Sequence, residues 1–271
     1  MITNPQKSKL AEKIQNMPKY RNVEIPTETI QSLIEQSIPL CKNLAELEKR
    51  VREKTHNIVA LYLGELDYGK AINEFMRIKN DSLLLKDFSL KALMSHASTK
   101  ERGQDLDAFY QELFSRIGKV GSIADLACGL YPLGLPFMGL QLDTAYYAYD
   151  LNKIRVDFLN MFISELGYHG GCFHQDILIN PPLVECDVAF FFKEAHRFEK
   201  RQPGVLPFFL DSIKAPKIVI SLPLQSFGTH LQIYQKYEKI FCEYTKKRGW
   251  YMDKFIIGNE VFFIIDKTQA V

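Results

Sequence analysis

Two acidic residues end short apolar runs in the second half of the chain, at a spacing that suits nucleoside binding. Asp150 ends the run AYYAYD, 21 residues after Gly129. In doubly wound folds, roughly 20 residues separate the glycine loop from the acid that binds ribose hydroxyls. Asp176 ends the run CFHQD, where an acid can accept a hydrogen bond from an adenine amino group, with Ile177 against the ring. Alternatively, Asp150 caps a helix that starts at Asn152.

The loop DLACGLYPLG follows the first apolar run of this half. Small residues at Ala127 and Gly129 let the backbone approach a ligand closely. A dinucleotide fingerprint needs three glycines to hold a pyrophosphate, but only Gly129 and Gly134 are present, with Pro132 between them. S-adenosylmethionine (SAM) has no phosphate, so this loop suits SAM better. The alternative is an ordinary tight turn of an α/β protein.

The run DVAFFFK ends in Lys193, at the place where a fourth strand meets the ligand. A lysine there suits a target that presents acceptor atoms, as guanine does with N7 and O6. The alternative is a lysine at a strand end beside solvent. The segment NPPL at 180–183 is similar to the target-binding motif of amino-group methyltransferases. However, it precedes the fourth strand and lacks the aromatic residue, so we interpret it as a turn.

The segment HASTKER joins a first part of the chain to this second part. Ser98 and Glu101 have the spacing of a helix capping box. Arg102 then remains available for a carboxylate, such as the methionine end of SAM.

Composition and charge exclude several classes of protein. The net charge is +2, and residues 1–100 carry 16 basic against 12 acidic residues, so a polyanion-binding surface is expected in that part. No apolar run approaches the roughly 18 residues that cross a bilayer, and the polar N-terminus is not a secretion signal. The five scattered cysteines form no CxxC pair, which argues against a zinc site and disulfides and favours a reducing cytoplasm. His174 and Cys172 alone do not predict a metal site.

The first hundred residues predict helices. Apolar residues recur at spacings of three and four, and Pro39 separates two helices. We predict a helical domain over 1–104 and a second domain over 105–271. The apolar positions of the first two helices are Ile30, Leu33, Ile34, Ile38, Leu44, Leu47 and Val51, and further helices are expected over Tyr68–Lys79 and Asp87–Met94.

From about residue 105, short apolar runs alternate with helical patterns, which predicts βαβ units and a parallel sheet. Two final runs around Gly258 and Asn259 predict an antiparallel hairpin. The expected fold is α/β, the class I SAM-methyltransferase type. The predicted strands are Ser122–Cys128, Ala145–Leu151, Cys172–Asp176, Asp187–Lys193 and Lys217–Leu224, and the predicted helices are Pro132–Gln141, Asn152–Leu166, Arg201–Ile213 and His230–Arg248.

Together these segments resemble the aminoglycoside-resistance methyltransferases that modify guanine N7 in 16S rRNA. The matching segments, in order, are HASTKER (96–102), DLACGLYPL (125–133), AYD (148–150), Lys193, SLPLQSF (221–227) and IGNE (257–260). The resemblance implies that SAM binds at His96, Ser98, Arg102, Ala127, Gly129, Asp150, Leu151, Asp176 and Ile177. It also implies that Lys193 lies beside the target, and that Gln225 and His230 face the RNA.

The resemblance further implies an N-terminal RNA-binding domain and a cytoplasmic monomer without metal that acts on 16S rRNA within the 30S subunit. Three residues depart from the family pattern. Ala127 replaces a glycine, Gln225 a basic residue, and His230 an arginine. Two basic contacts on the RNA side are thereby weakened, because histidine is mostly neutral at pH 7. Two alternatives therefore stay open: a SAM methyltransferase for another RNA or a small molecule, and a non-catalytic SAM- or RNA-binding paralogue.

Overall fold

The computed structural model describes residues 2–18, 20, 23–60, 66–95, 99, 106–224 and 231–270. Helices dominate the first part, and a sheet with flanking helices forms the second. The helices are α1 (Asn4–Gln15), α2 (Thr27–Ser37), α3 (Leu44–Val59), α4 (Tyr68–Ile78), α5 (Ser82–Ser95), α6 (Leu106–Ile117), α7 (Lys153–Glu165), α8 (Ala195–Arg201), α9 (Leu206–Ser212) and α10 (Leu231–Arg248). The strands are β1 (Ser122–Leu126), β2 (Ala145–Asp150), β3 (His169–His174), β4 (Val188–Phe192), β5 (Lys217–Pro223), β6 (Trp250–Ile257) and β7 (Glu260–Ala270).

The strands form one sheet in the order β3-β2-β1-β4-β5-β7-β6. Strands β1 to β5 pair in parallel, whereas β7 pairs antiparallel with both β5 and β6. The strand order reverses between β1 and β4, and ligands of open α/β sheets bind at such a point, outside the carboxyl ends of the strands. The predicted α/β class with its terminal hairpin is therefore confirmed.

Each face of the sheet is covered by a separate apolar core. One core packs α4 to α7 against inward residues such as Ile123, Tyr146 and Phe190. The other packs α8 to α10 against the opposite face, around Phe191 and Ile220. Burial on both faces explains why the central strands read as continuous apolar runs, as is typical of parallel sheets. Strand β4, for example, is buried along its whole length.

Helices α1 to α3 share a core of their own, centred on Ile14, Ile30 and Val51. In contrast, α4 and α5 contribute Phe75 and Phe88 to the core beneath the sheet. The two parts of the predicted helical domain are therefore packed differently, and the domain boundary near residue 104 stays a prediction.

Two predicted helices were wrong. The segment expected as a helix over Pro132–Gln141 is a 3-10 helix over Tyr131–Phe137, because Pro136 lacks the amide that an α-helix requires. The helix expected over Arg201–Ile213 is instead α8 and α9, separated at Pro203 and Gly204, and Gly204 has a φ of +80°. Helices α1 and α6 were not anticipated. Within the described ranges, no helix is both long and apolar enough to cross a membrane.

Candidate active site

The carboxyl ends of four neighbouring strands bring the predicted residues to one edge of the sheet. The order β3-β2-β1-β4 places Asp176, Asp150, Gly129 and Lys193 in that sequence along the edge. Neighbouring strands lie about 4.8 Å apart, so the row suits an extended ligand. A cavity of about 340 Å³ opens beside it, lined by Leu151, Glu194 and Arg201 on the sheet side and by Leu33 and Lys54 from α2 and α3.

The loop after β1 folds tightly over the end of β2. Ala127 and Gly129 both have left-handed backbones, with φ of +55° and +56°. The Cys128 amide donates to Tyr149 O at 2.9 Å, and the Gly129 amide donates to Asp150 Oδ2 at 3.0 Å. Burial raises the pKa of the Cys128 thiol well above its ordinary value, so this cysteine is a neutral packing residue of the loop.

Asp150 is buried and accepts hydrogen bonds from both its loop and the next helix. Its Oδ1 accepts from the Asn152 amide at 2.8 Å, and its Oδ2 accepts from Arg155 Nη1 at 2.8 Å. The side chains of Arg155 and Asp150 are 1% and 3% exposed. The helix cap is Asn152, whose side chain accepts from the Arg155 amide, so Asp150 is not the N-cap.

Arg155 was not predicted as a site residue, although its position in the sequence carries a signal. Arg155 precedes Phe158, Leu159 and Phe162 by three, four and seven residues, and therefore lies on the buried stripe of α7. A charged residue on such a stripe requires a partner of opposite charge. Tyr68, in the first turn of α4, accepts a long hydrogen bond of 3.4 Å from Arg155 Nε.

Asp176 is bound by residues from two distant elements. Its Oδ1 accepts from the Leu178 amide at 3.2 Å and from Arg201 Nη1 at 3.0 Å. Its Oδ2 accepts from Arg201 Nη2 and from the Thr29 hydroxyl, the latter at 2.7 Å. Neither Thr29 nor Arg201 was anticipated from the sequence. Ile177 follows, with 3% of its surface exposed.

Lys193 directly follows β4 and has a left-handed backbone, with φ of +59°. Its amide donates to Ser221 of β5, reaching the carbonyl oxygen at 3.0 Å and the hydroxyl at 3.2 Å. Its Nζ lies 3.5 Å from Glu260 Oε2, and both side chains are almost fully buried. The alternative of a lysine beside solvent is therefore wrong. Glu260 belongs to the segment IGNE, but no role was predicted for it.

Two further groups near the sheet edge do not serve a ligand. Tyr131 and the run Phe190–Phe192 have aromatic rings that could in principle stack on a target base. Tyr131 is buried, and its ring contacts Phe192 edge-on at 4.8 Å between centroids, so these rings belong to the core. His174 donates from Nε2 to Leu151 O at 3.0 Å. Among the described residues, no three His, Cys, Asp or Glu side chains are grouped to hold a metal.

Five predicted site residues lie outside the described residues: His96, Ser98, Arg102, Gln225 and His230. The segment at 180–183 lies in the connection before β4 and not at the carboxyl end of that strand.

The donor and acceptor set of the described edge fits SAM. Two buried carboxylates, at the end of β2 and just after β3, lie where ribose hydroxyls and an adenine amino group would need acceptors. The left-handed loop at Ala127 and Gly129 lets backbone approach the ligand. Ile177 and Leu151 supply apolar contacts of the kind that an adenosine needs. Nothing in this set resembles a pyrophosphate cradle.

Comparisons with known proteins identify the family of this chain. A family model described as ribosomal RNA methyltransferase (FmrO) matches residues 17–265. A 16S rRNA (guanine(1405)-N(7))-methyltransferase of Micromonospora rosea is 32% identical over 178 residues, or 65% of each protein, so the match spans just under two thirds of that relative. The enzyme of the same name from Frankia casuarinae is 28% identical over 253 residues, covering 89% of this chain and 87% of its own length.

A solved structure has the same fold. The 16S rRNA methyltransferase RmtF, crystallised with S-adenosyl-L-homocysteine, superposes with a TM-score of 0.77 at 23% identity, over 97% of this chain and 99% of its own. The family model covers nearly the whole chain. The chain therefore belongs to the FmrO family of ribosomal RNA methyltransferases, built on the class I SAM-methyltransferase fold.

Proposed function

We propose that this protein transfers a methyl group from SAM to N7 of a guanine in 16S rRNA, at the position that the names of its relatives give as 1405. The observation that carries the proposal is the row Asp176, Asp150, Gly129 and Lys193 along one sheet edge. This row has nucleoside acceptors at one end and a buried ammonium group at the other.

Asp150 accepts hydrogen bonds from the ribose hydroxyls, and Asp176 accepts one from the adenine amino group. Arg155 keeps the Asp150 carboxylate in place, because the two side chains form a buried ion pair at 2.8 Å. The proposed cofactor-binding set remains His96, Ser98, Arg102, Ala127, Gly129, Asp150, Leu151, Asp176 and Ile177.

Bound SAM supplies an electrophilic methyl group. Guanine N7 carries a lone pair in the ring plane and would form a bond to the methyl carbon while the bond from that carbon to the SAM sulfur breaks. The products would be S-adenosylhomocysteine and a guanine with a positive charge on its ring. No proton is lost, so the protein needs no general base. Its main task is to align the two reacting atoms. Lys193 donates from Nζ to guanine O6, and Glu260 directs that ammonium from 3.5 Å away. Reaching the buried lysine requires the guanine to be unstacked from its RNA helix.

The proposed substrate is 16S rRNA within the 30S subunit, and the consequence is resistance to aminoglycosides. The N-terminal helices bind the RNA, with Gln225 and His230 contributing on the catalytic side. The protein acts in the cytoplasm as a monomer without a metal ion.

The test is transfer of a labelled methyl group from SAM to purified 30S subunits, followed by strand scission at N7-methylguanine. We expect one modified guanine in the decoding region, and transfer about 100-fold slower by Lys193→Met. SAM binding without transfer to 30S would refute the proposed substrate. Transfer to another RNA would then identify a different methyltransferase, and no transfer to any acceptor would identify a non-catalytic paralogue.

A further inference from the structure

The Asp176 carboxylate has its hydrogen-bonding capacity filled by the protein itself. An ionised carboxylate offers about four lone-pair sites. Four donors reach Asp176: the Leu178 amide, both terminal nitrogens of Arg201, and the Thr29 hydroxyl. The residue is only 1% exposed, so water does not compete for these sites. An adenine amino group must therefore displace one of the four donors.

The four donors differ in how easily they are displaced. Arg201 forms a bidentate pair with the carboxylate, and charge-assisted pairs of this kind are about twice as strong as neutral hydrogen bonds. The Leu178 amide is held by a short local turn, since Asp176 O also accepts from the amides of Ile179 and Asn180. The Thr29 hydroxyl is neutral and arrives from a different part of the molecule, on α2.

Thr29 lies where the helical region meets the cofactor edge. It is fully buried in the first turn of α2, next to Ile30, which belongs to the separate core of α1 to α3. One other described contact supports this junction: the Lys153 amide, at the start of α7, donates to Val23 O at 3.0 Å. The Thr29 bond thus connects the predicted RNA-binding helices directly to the predicted adenine acceptor.

We propose that Thr29 sets the affinity of the cofactor site. Its hydroxyl donates a hydrogen bond to Asp176 Oδ2 at the same position that the adenine amino group uses when the cofactor binds. This inference rests on the proposed function, because it requires adenine at Asp176. Cofactor binding breaks the hydrogen bond between α2 and the sheet edge. Any RNA contact that draws α2 away from Asp176 therefore strengthens cofactor binding. By thermodynamic linkage, cofactor binding strengthens that RNA contact by the same factor.

The test compares Thr29→Val with Thr29→Ser by calorimetric titration. The probes are S-adenosylhomocysteine and its purine analogue with hydrogen in place of the 6-amino group. Valine keeps the shape of threonine and removes the donor, whereas serine keeps the donor. We expect Thr29→Val to bind S-adenosylhomocysteine about three- to tenfold more tightly than wild type, because a hydrogen bond to a charged group no longer has to be broken. Thr29→Ser should match wild type, and the deaminated analogue should bind all three proteins equally.

Unchanged or weaker binding of S-adenosylhomocysteine by Thr29→Val would overturn the inference, as would an equal gain for the deaminated analogue. Wild type offers a second measurement that does not depend on the variant's folding. Hydrogen exchange of the α2 amides should become faster when S-adenosylhomocysteine is added, and slower or unchanged exchange would refute the competition. If wild type binds neither probe, the proposed function itself fails, which is a different result from a failure of Thr29→Val alone.

Discussion

The two acids of the sheet edge are held in position by different parts of the molecule. Asp150 takes its described partners from the adjoining loop and helix, at Gly129, Asn152 and Arg155. Asp176 takes a partner from α2, 147 residues earlier, and another from α8, 25 residues later. The described partners of the ribose end therefore all lie between residues 129 and 155 of the chain. The adenine end depends on how distant elements come together.

The largest contrast is expected in SAM affinity. Asp150→Ala should weaken SAM binding by more than about 100-fold, because two ribose hydroxyls lose a charged acceptor. Asp176→Ala should weaken it by only about tenfold, since the adenine amino group already has to displace Thr29. Calorimetric titration measures both variants, with thermal denaturation as the control for folding. Equal losses would remove the proposed distinction between the two acids.

Removing the arginine partners of Asp150 and Asp176 should lower the free energy of unfolding by different amounts. Arg155→Met should lower the free energy of unfolding by about 3–5 kcal/mol, because Asp150 becomes a buried charge without its ion pair. Arg201→Met should cost about 1–3 kcal/mol, since the Arg201 side chain is 11% exposed whereas that of Arg155 is 1% exposed. Urea denaturation gives both values. A larger loss for Arg201→Met would reverse the comparison.

Lys193 lies beyond both acids and should affect the reaction without affecting the cofactor. Lys193→Met should lower kcat on 30S subunits by about 100-fold, because guanine O6 loses the donor that keeps N7 aligned with the methyl carbon. Its SAM affinity should stay within about twofold of wild type. Lys246→Met, at an exposed position on α10, serves as the matched control. A loss of SAM affinity equal to the loss of kcat would place Lys193 in the cofactor site instead.

The smallest effect concerns the loop that binds Asp150. Ala127 has a φ of +55°, a conformation that glycine adopts at no steric cost. Ala127→Gly should therefore raise the free energy of unfolding, by about 0.5–1 kcal/mol. Ala92→Gly, inside α5, should lower it by about 1 kcal/mol. Thermal denaturation of the two variants tests the difference in sign, and destabilisation by Ala127→Gly would show that the left-handed backbone is not strained.

The sequence predicted well those features that depend on residues close together along the chain. The offset from Gly129 to Asp150 is such a feature, and the continuous apolar run of β4 is another. The failures have local causes as well. Pro136 and Pro203 interrupt segments whose apolar spacing alone favoured a continuous helix. Ala127 was recognised as unusual only by resemblance, whereas the backbone dihedral angle explains why glycine is favoured there.

The missed residues are mostly those that act across long separations in the chain. Thr29 belongs to no recognisable motif, and the pattern of its neighbours in α2 predicts only an amphipathic helix. Glu260 meets Lys193 because β7 runs back beside β5, with Glu260 in register with Pro223. Spacing along the sequence predicts neither contact. Arg155 is the exception, because its place on the buried stripe of α7 was visible and called for an acidic partner.

The left-handed backbone of Lys193 narrows the choice of residues that can replace it. A lysine with a φ of +59° stores strain of about 1–3 kcal/mol, and glycine at the same position would relieve it. The same substitution would remove the ammonium group that pairs with the buried Glu260 carboxylate, and breaking a buried ion pair costs about 3–5 kcal/mol. A library screened for heat resistance would therefore keep lysine at position 193, so selection for durability and selection for the proposed catalytic role favour the same residue.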